Sequence, residues 1–164
     1  MLNDIYEFIM SDLRNSCRDL FKTGNIPSMN AVRFNEKRGI SNADLPELQM
    51  GLVNITGPLT ASSSHAKIVL VYDIRIASGQ LNQRLINDLL WWLITRVQYL
   101  SMNRGIFVYQ DVRPITAINF SDASVGLSNV EATRNVEGFS SLAKIRVDLH
   151  VPNSLIIPVA CDNV

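Results

Sequence analysis

The chain has 164 residues and a mass of 18.3 kDa, the size of one domain with a real core. Its 15 basic and 15 acidic residues cancel, and only 18% of all residues are charged, against a usual quarter. Without a basic cluster the chain is not built around nucleic acid, and so weakly charged a surface favours subunits that cover one another in a homo-oligomer.

Asn3 or Asp4 caps a first predicted helix that runs to about Lys22. Ile5, Phe8, Ile9, Leu13, Cys17, Leu20 and Phe21 form one stripe at helical spacing, while Asp12, Arg14, Asn15, Arg18 and Asp19 fill the other side. Gly24 and Pro27 end the helix. The first turns are acidic, with no basic region before a cleavable apolar run, so they do not read as a signal peptide. Cys17 on the apolar stripe reads as a buried thiol and Cys161 lies near the far end, too few cysteines for a disulfide scaffold.

Residues 29–34 suit a short strand, and 35–44 read as an exposed loop carrying Glu36, Lys37, Arg38 and Gly39. Residues 47–56 read as a strand closed by Gly57 and Pro58. After a small-residue loop at 60–65 comes the strand with the cleanest alternation, KIVLVYDIRIA at 67–77. Ile68, Leu70, Tyr72, Ile74 and Ile76 share one face, and Lys67, Val69, Val71, Asp73, Arg75 and Ala77 share the other. The two strands should form an antiparallel hairpin.

Residues 78–105 hold the firmest helix. Leu81, Leu85, Leu89, Trp92, Leu93, Val97 and Leu100 recur along one side, with Ile86, Leu90 and Ile94 beside them. Ser78 is the expected N-cap and Gly105 the expected residue after the C-terminus. So wide a stripe needs cover from a sheet and from something else. Adjacent residues point about 100° apart on a helix, so Trp92 belongs to the core, and Trp91 lies at its margin under a loop or against a neighbouring subunit. Asn87, Asp88 and Arg96 interrupt the apolar run, which argues against a membrane span.

Residues 106–118 are strand-like with Pro114 limiting them, 119–124 read as a turn, 125–133 as weakly extended and 134–141 as a loop. Residues 143–151, AKIRVDLHV, alternate again: Ile145, Val147, Leu149 and Val151 face inward, and Lys144, Arg146, Asp148 and His150 outward. Pro152 stops this strand, leaving residues 153–164 as a tail or arm on a single domain of residues 1–152. The order implies an α+β fold, an antiparallel or mixed β-sheet with two α-helices packed on one face.

The outer face of that sheet would carry Lys67, Asp73, Arg75, Lys144, Arg146, Asp148 and His150, a mixed-sign surface that is either wet or an electrostatic interface. No nucleotide-binding, zinc-protease, thiol-redox or serine-hydrolase motif occurs. His65 reads as a loop residue and His150 as an outer-face residue, and Asp111, Asp122, Glu131 and Glu137 are scattered. No catalytic, cofactor-binding or metal-binding residue is assigned, and no cofactor is expected. The candidates are interface residues: Trp91, Asp73, Arg75, Lys144, Arg146, Asp148, and Glu36, Lys37 and Arg38 at a loop tip, with residues 138–142 a second candidate tip.

An amphipathic helix, a strand pair ending in VLVYDIRIASG, the helix QLNQRLINDLLWWLITRV and a closing strand AKIRVDLHV come in this order. The arrangement resembles the tail terminator (tail completion, or head–tail joining) proteins of tailed bacteriophages over residues 1–151, in element order, size and texture. The resemblance implies a small α/β subunit of a hexameric ring that caps the tail tube, stops its polymerisation and offers the surface for head and neck attachment. It implies as partners other copies of the chain, the tail tube protein, a neck or connector protein and, in a contractile phage, the sheath. Genome DNA would pass through the lumen without specific binding, no membrane would be involved, and the protein would be made in the host bacterial cytoplasm and carried in the virion. The alternatives are another neck, connector or baseplate subunit, a small hydrolase built on His65, a serine and Asp73, and a cellular scaffold that dimerises through the central helix.

Overall fold

The computed structural model describes residues 1–22, 33–35, 47–60, 62, 64–78, 83–131 and 136–156. Helix α1 spans Leu2–Lys22, strand β1 Arg33–Asn35, β2 Glu47–Thr60, β3 His65–Ser78, helix α2 Gln83–Met102, β4 Ile115–Glu131 and β5 Val136–Pro152. The sheet order is β1-β2-β3-β5-β4. β2, β3, β5 and β4 pair antiparallel, and the three residues of β1 add in parallel to β2. The fold is α+β, with a four-stranded antiparallel sheet and a short parallel edge strand.

The alternation read in the sequence sets the layers. Leu70, Tyr72, Ile74 and Ile76 of β3 and Ile145, Val147, Leu149 and Val151 of β5 are buried on one face of the sheet. They join one core with Ile5, Ile9, Met10, Leu13 and Cys17 of α1 and Leu89, Trp92, Leu93, Val97 and Leu100 of α2. Both helices therefore lie on that face. Two side-chain links tie them together. Trp92 Nε1 donates to Ser16 Oγ at 3.1 Å, and the Arg96 guanidinium donates to both carboxylate oxygens of Asp12 at 2.6 Å. The sequence pattern puts Asp12 on the side of α1 away from its apolar stripe and Arg96 at a break in an apolar run, and the fold joins the two.

Several boundaries differ from expectation. Gly57 and Pro58 do not close β2: the strand continues to Thr60, and the irregularity is absorbed in a register shift between Thr56 and Leu59. Gly57 has φ +111°, a conformation that glycine tolerates. Ser78 is the last residue of β3 and not a helix cap, and Gly105 sits in a 3-10 turn, Arg104–Ile106, without a positive φ. Residues 106–114 are not strand. After the 3-10 turn Tyr109 and Val112 exchange backbone hydrogen bonds around a tight turn in which Gln110 and Asp111 have positive φ, as two-residue hairpins require. Residues 119–124 are not a turn but the middle of β4, where a bulge between Phe120 and Asp122 breaks the alternation. β5 begins at Val136, inside the segment expected to be a loop, so residues 138–142 are strand and not a loop tip. After Pro152 the chain makes a 3-10 turn, Asn153–Leu155, and Leu155 and Ile156 pack against the core. Glu36, Lys37, Arg38 and Cys161 lie outside the described residues.

Candidate functional site

Two surfaces remain without cover from any described element, on opposite sides of the protomer. The first is the outer face of the sheet. Residues directly opposite one another in antiparallel strands share a face, so the register sorts this surface into rows. Lys67 of β3 lies opposite His150 of β5, Val69 opposite Asp148, Val71 opposite Arg146, Asp73 opposite Lys144 and Arg75 opposite Leu142. β4 adds Asn119 beside Arg146 and Asp122 beside Lys144. The expected outer-face residues of β3 and β5 therefore do share one surface.

Along the strands the sign alternates from row to row: Lys67, then Asp148, then Arg146, then Asp73 with Lys144 and Asp122, then Arg75. Arg146 and Asp148 are paired within β5, Nε to Oδ1 at 2.7 Å, with the Asp148 side chain 17% exposed and that of Arg146 45%. Lys67, Lys144 and His150 are exposed, and Val69, Val71, Asp73 and Arg75 half-buried. Asp73 Oδ1 is shut off from water and accepts no hydrogen bond, although a carboxylate oxygen in such a position ordinarily has a donor.

At one end of this face the rings of His65 and His150 stack, 4.6 Å between centroids and 17° from parallel. Ser64 Oγ lies 2.8 Å from His65 Nδ1. A serine–histidine pair thus exists, but Asp73 does not complete it. It is eight residues further along the same extended strand, a separation of about 26 Å. Among the described residues no group of three or more His, Cys, Asp or Glu side chains is placed to hold a metal. Burial pushes the Cys17 thiol and the Tyr72 phenol each up to about 12, so both stay protonated inside the core.

The second surface is the solvent side of α2. Trp91, Thr95, Gln98 and Met102 recur at steps of four, three and four residues and are all exposed, diametrically across the helix from the buried Leu89, Leu93 and Leu100. Trp91 is 67% and Met102 73% exposed. The 3-10 turn and the loop after it continue with exposed Ile106 and Val108. Trp92, its neighbour, is 7% exposed and bonded to α1. Trp91 thus lies further out than a margin position, and no described loop covers it. Met102, Ile106 and Val108 were missed in the sequence. The spacing 91, 95, 98, 102 held the signal for Met102, masked by the polar Thr95 and Gln98. Beside the strip, the Arg96 guanidinium rests 3.9 Å over the Tyr99 ring, and the hydrogen bonds that it donates to Asp12 keep Arg96 protonated above its ordinary range.

A third feature is an open cleft of about 460 Å³ bordered by Asn3, Tyr6, Glu7 and Met50, where Tyr6 Oη donates to the Met50 carbonyl at 3.4 Å. No helix among the described residues is long and apolar enough to cross a membrane. Compared with known proteins, the chain matches no protein-family model and no curated relative.

Proposed function

We propose that this chain is a structural subunit that closes into a ring, of six copies, on the end of a bacteriophage tail tube. There it arrests polymerisation of the tube and presents a docking surface to the neck or connector. The observation that carries this reading is the strip on α2 from Trp91 to Met102, continued by Ile106 and Val108. Trp91 and Met102 are large apolar side chains left open at the two ends of one helix side, with Thr95 and Gln98 between them. Exposed apolar side chains that gather on one surface mark association sites, and tryptophan is a frequent anchor in them.

In a ring the contacts are heterologous: the strip on one subunit meets a different surface on the next, and the rotation closes. The two rims of such a ring are chemically different, so one can engage the last tube subunits and the other the neck. The low charge of the chain suits a subunit that is mostly surrounded by copies and partners, with genome DNA passing through the lumen unbound.

The test is the native mass of the purified chain across a concentration series, followed by capture on tail tube protein. A species of about 110 kDa, six copies of the 18.3 kDa chain, and its loss in Trp91→Asp with folding intact, are the expected results. A chain that neither closes into a ring at high concentration nor binds the tube end overturns the reading.

A further inference from the structure

The outer face of the sheet is self-complementary, and we infer that two copies of this chain pack face to face across it about a two-fold axis. The axis lies midway between the two sheets, along the rows and perpendicular to the strands, over the Leu70–Val147 register pair. Rotation about it exchanges residues equally far from that pair. Val69 then meets Val71 of the second copy, Asp148 meets Arg146, and Lys67 meets Asp73. The symmetry makes each contact twice. At the margins His150 falls on Lys144 and His65 on Arg75.

The two neighbouring placements of the axis do less well. Moved one row towards Arg75, it would set Val71 against Asp73 and Arg146 against Lys144, a like-charge pair. Moved one row the other way, it would set Lys67 against Val69, leaving an unpaired ammonium on the apolar centre. The chosen axis instead gathers the valines at the middle and puts opposite charges around them, the anatomy of a specific interface.

Asp73 is half-buried, and in the pair Lys67 of the second copy meets the open side of its carboxylate, while Oδ1 stays covered within its own protomer. Sheets pack face to face about 10 Å apart, with strand directions within about 30°, a gap that lysine and arginine side chains span. Eight residues along β3 and four strands across give a face of about 26 Å by about 15 Å, at the small, weak end of protein contacts, so the pairing is read at high protein concentration.

This contact lies on the opposite side of the protomer from the α2 strip and does not rest on the ring. The test therefore uses the full chain carrying Trp91→Asp, which removes the α2 contact, and reads native mass. The expected result is a dimer of this chain. Adding Lys67→Glu alone sets carboxylate against carboxylate at both symmetry-related contacts. Adding Asp73→Lys alone sets ammonium against ammonium at both. Each variant is therefore a monomer. Mixed together they form a one-to-one heterodimer, because one of the two contacts in that pair joins the new carboxylate to the new ammonium and the other keeps the original Lys67 and Asp73. A monomeric Trp91→Asp chain, a dimer that survives either single charge change, or folded variants that do not pair on mixing overturns the proposal.

If Asp73→Lys fails to melt cooperatively, Arg146→Asp carries the same test on exposed ground. Alone it gives a monomer, and combined with Asp148→Arg it restores the dimer. A dimer unaffected by Arg146→Asp, or a double variant that stays monomeric, overturns the pairing. In the unsubstituted chain, a ring that stays at six copies supports the ring and overturns the face-to-face pair, and a dimer that persists without any ring does the reverse.

Discussion

The Arg96 guanidinium, 84 residues along the chain from Asp12, meets that carboxylate with two hydrogen bonds of 2.6 Å each. Both side chains are less than one-third exposed, 27% for Arg96 and 17% for Asp12, so the pair is screened less than a surface bridge and its geometry is the strong, two-pronged one. A double-mutant cycle with Asp12→Ala and Arg96→Ala, followed by denaturant unfolding, should give a coupling of about 1–2 kcal/mol. Arg96→Lys should recover little of it, because an ammonium cannot make both bonds. Additive single effects would show that the pair does not hold the helices together.

The two adjacent tryptophans should behave as different residues. Trp92→Ala opens a void in the core and strands Ser16, and should cost about 3–5 kcal/mol of stability. In the monomer, Trp91→Ala should change the melting temperature little. In the fluorescence of single-tryptophan variants kept dilute enough to be monomeric, Trp91 should be quenched freely by acrylamide and Trp92 should be shielded. Equal quenching would contradict the burial difference between them.

Leu93 is fully buried in the core. Leu93→Ala should cost about 2–5 kcal/mol, and Leu89→Asp, which places a charge in the same core, should abolish cooperative melting. A soluble Leu89→Asp chain with a sharp transition would mean that this side of α2 does not face the core.

Gly57 and Gly51 provide a matched pair on β2. A Cβ at Gly57 would lie 2.6 Å from the Lys67 carbonyl oxygen, where φ is already +111°, whereas a Cβ at Gly51 meets nothing within 4 Å. Gly57→Ala should therefore lower stability by about 1–3 kcal/mol, with Gly51→Ala near neutral. Comparable melting curves for the two variants would count against the bulged path of β2.

Alkaline pH should destabilise the fold in a defined direction. Cys17 and Tyr72 are each held protonated up to about 12 by burial, above their ordinary values of 9.0 and 10.0. The unfolded chain loses these protons first, so it binds fewer protons than the native state, and stability falls as pH rises between about 9 and 12. In a Cys161→Ser chain, thiol labelling should show Cys17 inert in the native protein and reactive on unfolding. Fast labelling of that chain under native conditions would contradict the burial of Cys17.

The parts of the fold that were legible in the sequence are those where one strand face is wholly apolar. β3 and β5 could be read because Leu70 to Ile76 and Ile145 to Val151 alternate without a fault. β4 could not, because Asn119 to Ser124 has the composition of a turn and its bulge shifts the alternation by one residue. The continuation of β2 through Gly57 and Pro58 was hidden for the same reason: residues that usually stop a strand here sit in a bulge. The outer-face residues were legible as a set, since alternation assigns them together. Which of them face one another depends on register, and the Asp12–Arg96 link depends on how two distant helices cross. Neither is a local property of the chain.

The central seam of the sheet joins residues 65–78 to residues 139–152, so its two halves leave the ribosome far apart in time. Until β5 is made, β3 has no partner on that side, and Leu70, Tyr72, Ile74 and Ile76 have no finished core to enter. Pairings so distant in sequence are slow to form, and the waiting half is prone to stick to other chains. The emergence of β5, and not the appearance of the helices, is therefore the event that commits this protein to its native structure.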